Sequence, residues 1–170
     1  MAIGTRFMRF LPVAADAHRF RCERAAVAVV HAANILLVGA AGNDASDNDG
    51  ATPYYPASYI ADVLSVAATD SSDMRHFISN YGKNSVHLGA PGSGILTLWP
   101  KPPFISFGGG TSMAAAHVSG AAALAMSKCK LTADEAKNLL NATIDTVSDL
   151  ANATITGGRL NVGRALEQCK

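Results

Sequence analysis

The segment Gly110-Thr111-Ser112-Met113-Ala114-Ala115-Ala116-His117-Val118-Ser119-Gly120 predicts a loop that passes directly into a helix. A run of three glycines ends at its first residue, and small apolar residues continue to Met126. We therefore expect Ser112 in the first turn of the helix, where unpaired backbone N–H groups and the helix dipole favour negative charge. This position suits a nucleophile, because an oxyanion that forms beside it meets hydrogen-bond donors already in place.

The elements around this segment indicate an α/β fold. The apolar run at 35–38 predicts a strand buried on both faces, as in a parallel sheet, and a helix over 23–33 precedes it directly. The helix over 111–127 is apolar nearly all round, so we expect it to be buried. A capping box at Thr132 and Glu135 starts the next helix. The remaining predicted elements are strands over 63–68, 85–90 and 95–98, and helices over 132–142 and 160–167.

Composition and charge restrict the class of protein. The 170 residues are enough for one domain with a real core. Fourteen Lys and Arg balance thirteen Asp and Glu without a charged block, which argues against nucleic-acid binding. No apolar run approaches the roughly 20 residues of a membrane span, so we expect no span. The first 15 residues lack the apolar core of a signal peptide, and we read no signal there.

The cysteines and two glycosylation patterns carry weaker information. Cys22, Cys129 and Cys169 have no metal-ligand spacing, and isolated cysteines are most often buried or unused thiols. A bridge between Cys129 and Cys169 is the one pairing worth testing, because both follow predicted helices. Asn141-Ala142-Thr143 and Asn152-Ala153-Thr154 match the acceptor pattern for N-glycosylation. Such tripeptides also arise by chance and matter only in a secreted chain.

Several further blocks stand in a fixed order around the Ser112 segment. They are Ala40-Ala41-Gly42-Asn43, Tyr55-Pro56-Ala57-Ser58, Val66-Ala67-Ala68-Thr69-Asp70, Phe77, Ser79-Asn80-Tyr81-Gly82, Ala90-Pro91-Gly92 and Gly158-Arg159-Leu160-Asn161-Val162. Together with the Ser112 segment they resemble the subtilisin-like serine proteases, or subtilases, in that family's order from about Glu23 to Leu166. One short motif would be weak evidence, whereas an ordered set over most of the chain is specific.

The resemblance implies a fold and a set of site residues. The fold would be a doubly wound, mostly parallel sheet with helices on both faces. Ser112 would be the nucleophile that becomes acylated, and Asn43 would offer its side-chain amide to the oxyanion opposite the Ser112 backbone N–H. Ala40, Ala41 and Gly42 would line one wall of the substrate pocket. Without the resemblance, Ser112 is a helix-capping serine, Asn43 a turn residue, and the three small residues a tightly packed strand end.

His117 and Ala116 qualify this resemblance. His117 lies five residues after Ser112 and points to another face of the helix, so it is not expected to act as the general base. We interpret it as a core or structural histidine. Ala116 stands where the family usually has proline, and alanine is tolerated there because a proline inside a helix normally costs about 3 kcal/mol.

The aspartate and histidine of the subtilase triad have no counterpart in family context. Both would precede Asn43 by a long way, and the only upstream candidates are Asp16, His18 and His31, of which His31 reads as a partly packed surface histidine. We therefore predict a divergent, unassigned segment over 1–22 and the C-terminal part of a subtilase domain over 23–170. We expect the N-terminal part of the domain to be missing from this chain, and the half of the domain that contains it to be a partner.

Two functional hypotheses follow. The first is a serine endopeptidase that hydrolyses protein or peptide substrates through an acyl-enzyme on Ser112, with this chain alone inactive. The second is a catalytically inactive remnant or peptide-binding pseudoprotease. An α/β-hydrolase esterase is weaker, because its nucleophile elbow needs glycine at position 114, which is alanine.

The resemblance also bears on metals and location. Neither hypothesis requires a cofactor. Subtilases often bind structural calcium, but the loop with Asp44, Asp47, Asn48 and Asp49 lacks EF-hand spacing and reads as a solvated acidic loop, so no ligands are assigned. The residues themselves leave the location open, and the resemblance implies a secreted or secretory-pathway protein.

Overall fold

The computed structural model describes residues 17–98 and 100–169, with side chains from residue 22 onward. Most of the segment 1–22 lies outside the described residues, so its boundary stays a prediction. The elements, in chain order, are α1 (Ala17–Ala32), β1 (Leu37–Ala40), β2 (Val63–Thr69), β3 (Leu88–Pro91), β4 (Ile95–Leu98), β5 (Ile105–Gly108), α2 (Thr111–Cys129), α3 (Ala133–Ala142), β6 (Asp145–Thr146), a 3₁₀ turn (Ser148–Leu150), β7 (Gly158–Arg159) and α4 (Val162–Glu167).

The main sheet has five strands in the order β1-β2-β3-β7-β6. The pairs β1–β2, β2–β3 and β3–β7 are parallel, and only β6–β7 is antiparallel. Strands β4 and β5 form a separate antiparallel hairpin that leads into α2. Because the parallel strands share a direction, the segments that follow β1 and β3 meet at one edge of the sheet, next to the start of α2.

The core lies between the sheet and α2. Every residue of β2 is buried, and Leu64, Val66 and Ala68 alternate along it on the face that packs against α2. Ala114 and Val118 supply the facing side chains of the helix. The other face of β2 packs through Ala67 against Ala41 and Val86. The predicted α/β class with a mostly parallel sheet is confirmed.

Two burial predictions are wrong in part. Strand β1 is half-buried along its whole length rather than buried on both faces, because it is an outer strand in the sheet as described. Helix α2 is buried along one stripe only, and Leu124 on its outer side is 55% exposed. The apolar composition of α2 therefore did not show that only one face of this helix is buried and that the other is exposed to solvent.

Several boundaries also differ from the prediction. Strand β3 begins at Leu88 rather than Ser85, because Val86 closes a turn onto the Gly82 carbonyl. Helix α4 begins at Val162, because Asn161 caps it by accepting from the Arg164 N–H at 2.9 Å. The capping box of α3 is present as predicted, with both reciprocal bonds.

Two further features complete the fold. Cys129 and Cys169 form a disulfide with Cα atoms 5.1 Å apart, which joins the end of α2 to the residues after α4. Within 17–98 and 100–169, no helix has both the length and the apolar character needed to cross a bilayer.

Candidate active site

Ser112 occupies the first turn of α2 and is exposed. Helix geometry leaves its backbone N–H without an intrahelical partner, and no acceptor for it occurs among the described residues. Its hydroxyl likewise has no hydrogen-bond partner in the described part of the chain. The position in the fold matches the prediction, whereas the nucleophilic role stays a prediction.

Thr111 ties the start of α2 to the end of β1. Its N–H donates to Asn43 Oδ1 at 2.8 Å, and its hydroxyl lies 3.1 Å from the same oxygen. The same hydroxyl accepts from the Gly42 N–H at 3.2 Å. Because Asn43 Oδ1 is held by Thr111, the side-chain NH₂ of Asn43 is the group left available at the helix N-terminus.

Glycines allow this close approach. Gly110 has φ +110°, and a Cβ there would lie 2.8 Å from Asn43 Oδ1. Gly42 has φ +114°, and a Cβ there would lie 2.4 Å from Asn80 Nδ2. A side chain at either position would displace Asn43 or its support.

Asn80 is a buried support that the sequence analysis did not identify. It is 1% exposed, and its Oδ1 accepts from the N–H groups of Asp44 at 2.8 Å and Ser46 at 3.1 Å. Its Nδ2 donates to Asn48 Oδ1 at 3.0 Å, and Asn48 Nδ2 in turn donates to the Ala41 carbonyl at 2.8 Å. The network holds the backbone on both sides of Asn43. The sequence signal for Asn80 is its place in the Ser79-Asn80-Tyr81-Gly82 block, which resembles the subtilases but indicates no role for this residue.

The three small residues before Asn43 differ in exposure. Ala40 is half-buried, whereas Gly42 is buried. Ala41 is fully buried and packs against Ala67 and Val86. Their assignment to a substrate pocket therefore stays a prediction, with Ala40 the member of the set that retains an accessible surface.

None of the histidines with described side chains is hydrogen-bonded to Ser112. His117 is exposed, and its Nδ1 lies 2.9 Å from the Met113 carbonyl, so its interpretation as a core histidine is wrong. The helix turns it outward, away from the buried stripe of Ala114 and Val118. His31 is partly buried, as expected, with Nδ1 2.5 Å from Asp62 and Nε2 2.9 Å from Asp134. Hydrogen bonds to these carboxylates raise the pKa of His31. The side chains of Asp16 and His18 lie outside the described residues.

The acidic loop after Asn43 is solvated at Asp44, Asp47 and Asp49, which are exposed, and is anchored to the protein at Asn48 and through a contact of Asp49 with a backbone N–H. Asn48 is 3% exposed, and Asp49 Oδ2 accepts from the backbone N–H of Asn84 at 2.8 Å. The solvated interpretation of this loop is wrong for Asn48, because that residue belongs to the Asn80 network. In the part of the chain that the structure describes, no three His, Cys, Asp or Glu side chains cluster as a metal site would require.

The arrangement brings one exposed hydroxyl, one backbone N–H and one side-chain amide to the same helix end. Two donors of this kind beside a hydroxyl can stabilise an oxyanion during acyl transfer. A neutral serine hydroxyl is a weak nucleophile until a general base removes its proton. Within the described residues, no histidine or carboxylate is hydrogen-bonded to Ser112.

Comparisons with known proteins show which family the chain is similar to. The model of the subtilase family matches residues 8–158. Subtilisin DY of Bacillus licheniformis is 38% identical over 125 residues, which are 73% of this chain and 44% of that protein. Thermitase of Thermoactinomyces vulgaris is 34% identical over 135 residues, which are 78% of this chain and 44% of that protein. The chain thus spans less than half the length of these curated relatives.

Solved structures give the same result. The A-subunit of the AB5 toxin from E. coli superposes with a TM-score of 0.75 at 28% identity, covering 90% of this chain and 57% of that one. The prenylagaramide maturation protease PagA superposes with a TM-score of 0.74 at 30% identity, covering 86% of this chain and 55% of that one. With its sheet, its helix-borne serine and its matched residues 8–158, the chain belongs to the subtilase family of serine proteases.

Proposed function

We propose that the chain is the nucleophile-bearing part of a serine endopeptidase, in which Ser112 attacks the peptide carbonyl and is acylated. The observation that carries this proposal is the Asn43–Thr111 contact at 2.8 Å. This contact holds the Asn43 side chain at the N-terminus of α2. The Ser112 N–H at the same helix end has no partner among the described residues. The two donors would share the negative oxygen of the tetrahedral intermediate.

The general base and its aspartate are proposed to come from another part of the catalytic domain. This chain spans 44% of Subtilisin DY, so more than half of that relative has no counterpart here. An open groove runs along α2 from one helical turn after Ser112, lined by the small residues Ala116 and Gly120 and by Leu124. Such small residues let a second segment approach the helix closely. This groove is the surface on which we place the segment that carries the base.

The chemistry proposed here uses only side chains and backbone donors, so no cofactor is included. Structural calcium, allowed by the resemblance, stays a proposal without ligands. Protein or peptide substrates and a secreted location complete the proposal. The Cys129–Cys169 disulfide supports that location, because disulfides persist mainly in oxidising compartments.

The test is a fusion of the chain behind a relative's segment that supplies the aspartate and histidine. We expect hydrolysis of a peptide substrate, which Ser112→Ala reduces by about 10⁶-fold in kcat, as the equivalent loss does in a subtilisin. Ser119→Ala is the matched control, because Ser119 is an exposed serine on the same helix whose hydroxyl donates to the Ala115 carbonyl. A fluorophosphonate should label Ser112, and peptide mass mapping would identify the labelled residue. Hydrolysis that survives Ser112→Ala would contradict the assignment.

Asn43→Asp tests the oxyanion donor separately. The carboxylate keeps an acceptor for the Thr111 N–H but replaces the donating NH₂ with oxygen. We expect kcat to fall by at least about 10²- to 10³-fold, although the Ser112 hydroxyl itself is unchanged. Saturable peptide binding without any turnover, in a fusion that folds, would favour the peptide-binding hypothesis instead.

A further inference from the structure

The two glycosylation patterns of the sequence lie in different surroundings. Asn152 follows the 3₁₀ turn, in a turn of its own, and is exposed. Asn141 lies in the last turn of α3 and is only partly exposed. Its Oδ1 is buried and has no hydrogen-bond partner among the described residues. Because one side of the Asn141 amide is enclosed, a bulky group has less room at Asn141 than at the exposed Asn152.

Among the described residues, no hydrogen bond of the turn around Asn152 involves the Asn152 side chain. The Ala153 N–H donates to the Leu150 carbonyl at 3.0 Å, and the Thr154 hydroxyl donates to the same oxygen at 3.3 Å. From outside the turn, Lys83 Nζ donates to the Ala151 carbonyl at 2.7 Å. Because these contacts hold the backbone, modification of the Asn152 amide breaks none of them.

The position of this turn leaves room for a large polar group. Leu88 and Ala90 pack towards α2, so Gly89 between them faces the opposite side of the sheet. A Cβ built on Gly89 would lie 2.6 Å from a methyl of Leu150. The turn that carries Asn152 thus lies on the sheet face opposite α2, with the Asn152 side chain in solvent.

We infer that Asn152, and not Asn141, is the site at which the folded protein carries an N-linked oligosaccharide. The donor is an oligosaccharide linked through a diphosphate to a membrane lipid. Asn152 Nδ2 forms a bond to C1 of the first sugar while the C1–O bond breaks, and the lipid diphosphate leaves with the electron pair. The amide loses one proton to a base of the transferase, and nothing is oxidised or reduced. The Cys129–Cys169 disulfide supports an oxidising environment, which the compartment of this transfer also provides.

The experiment is production of the 170-residue chain behind a cleavable leader in a eukaryotic secretory host. Enzymatic release of the glycans in heavy-oxygen water converts each occupied Asn into a mass-tagged Asp. We expect the tag at Asn152 in chains that contain the Cys129–Cys169 disulfide. Asn152→Gln should abolish the mobility shift caused by the release enzyme, and the matched variant Asn141→Gln should retain it.

Occupancy is measured on the whole lumenal pool as well as on the disulfide-bonded fraction, so a variant that folds poorly still gives a result. An untagged Asn152 in lumenal wild-type chain would overturn the inference. So would a glycan that persists in Asn152→Gln but disappears in Asn141→Gln.

Discussion

At the scale of single residues, His87 makes the fold sensitive to acid. It lies just before β3, is 5% exposed, and its Nδ1 accepts a hydrogen bond from the Ser65 N–H at 3.1 Å. Burial, assisted by the nearby positive charge of Lys137, lowers the pKa of His87 to about 4 from 6.5. The folded state therefore holds this imidazole neutral where the unfolded chain would protonate it.

The sign of the resulting pH dependence follows from the lowered pKa. The contribution of neutral His87 to stability is complete above pH 6.5 and is lost as the pH falls towards 4. The full difference amounts to about 3 kcal/mol in the free energy of unfolding. We predict that His87→Asn, whose amide oxygen can still accept from Ser65, flattens this loss in urea titrations between pH 7 and pH 4.

His31 is the internal control for this prediction. Its pKa is raised by Asp62 and Asp134, so its contribution is present below the ordinary value and is lost as the pH rises through the raised one. His31→Asn should thus change how the free energy of unfolding depends on pH above 6.5. It should leave the loss of stability between pH 6.5 and pH 4 unchanged. An unchanged acid slope in His87→Asn would contradict the assignment to His87.

Site residues differ in how far the sequence could identify them. Ser112 and Asn43 stand in contiguous blocks, and their predicted places, a helix start and a strand end, agree with the structure. Thr111 contacts Asn43, 68 residues away in the chain, and Asn80 contacts Asp44, 36 residues away. A local sequence pattern cannot predict contacts over such separations. His117 was misjudged because the sequence did not show which stripe of α2 is buried.

At the scale of elements, local sequence signals predicted whether a helix or strand exists better than where it begins and ends. The α3 capping box is a contiguous pattern and was located correctly. The two-residue strands β6 and β7 were not predicted, because strands of that length have no periodicity and form only where another strand is already present. The start of β3 was misplaced because the contact of Val86 with Gly82, not hydrophobicity, ends the preceding turn.

The segment after β1 depends on Asn80 as a unit. Asn80→Ala would leave the N–H groups of Asp44 and Ser46 and the Asn48 Oδ1 without their partner. We predict a loss of about 2 to 4 kcal/mol in the free energy of unfolding, because unpaired buried polar groups are costly. Hydrogen exchange at the Asp44 and Ser46 amides should accelerate.

Asn84→Ala provides the comparison for that variant. Asn84 also binds a loop residue, Asp49, through its amide at 3.1 Å, but it does so at an exposed position. We expect a loss below about 1 kcal/mol. Equal losses for the two variants, or unchanged exchange at Asp44 in Asn80→Ala, would show that Asn80 does not organise the segment.

At the scale of the whole molecule, the α/β class was predictable because a helix followed directly by an apolar strand leaves few architectures. The strand order was not predictable from patterns alone. Strand β7 joins β3 and leaves β4 and β5 outside the main sheet, an outcome decided by contacts distant in sequence. The half-buried state of β1 and the open stripe of α2 are also properties of the assembled fold.

The β4–β5 hairpin presents four large apolar side chains to solvent on one face. Leu96 pairs with Phe107 and Leu98 with Ile105, so all four side chains point the same way. Their exposed fractions are 61%, 75%, 83% and 51% in that order. A contiguous patch of this kind favours association.

We therefore predict that the 170-residue chain alone self-associates as its concentration rises, and that Leu96→Thr with Leu98→Thr reduces its weight-average mass in sedimentation velocity. Threonine preserves the strand preference of the hairpin while removing apolar surface. Val29→Thr is the control, because Val29 is 70% exposed but lies in α1, outside the hairpin. Since apolar contact drives this association, raising the sulfate concentration should strengthen it in wild type more than in the double variant. A wild-type chain that stays monomeric at all concentrations and melts in one sharp transition would contradict the prediction.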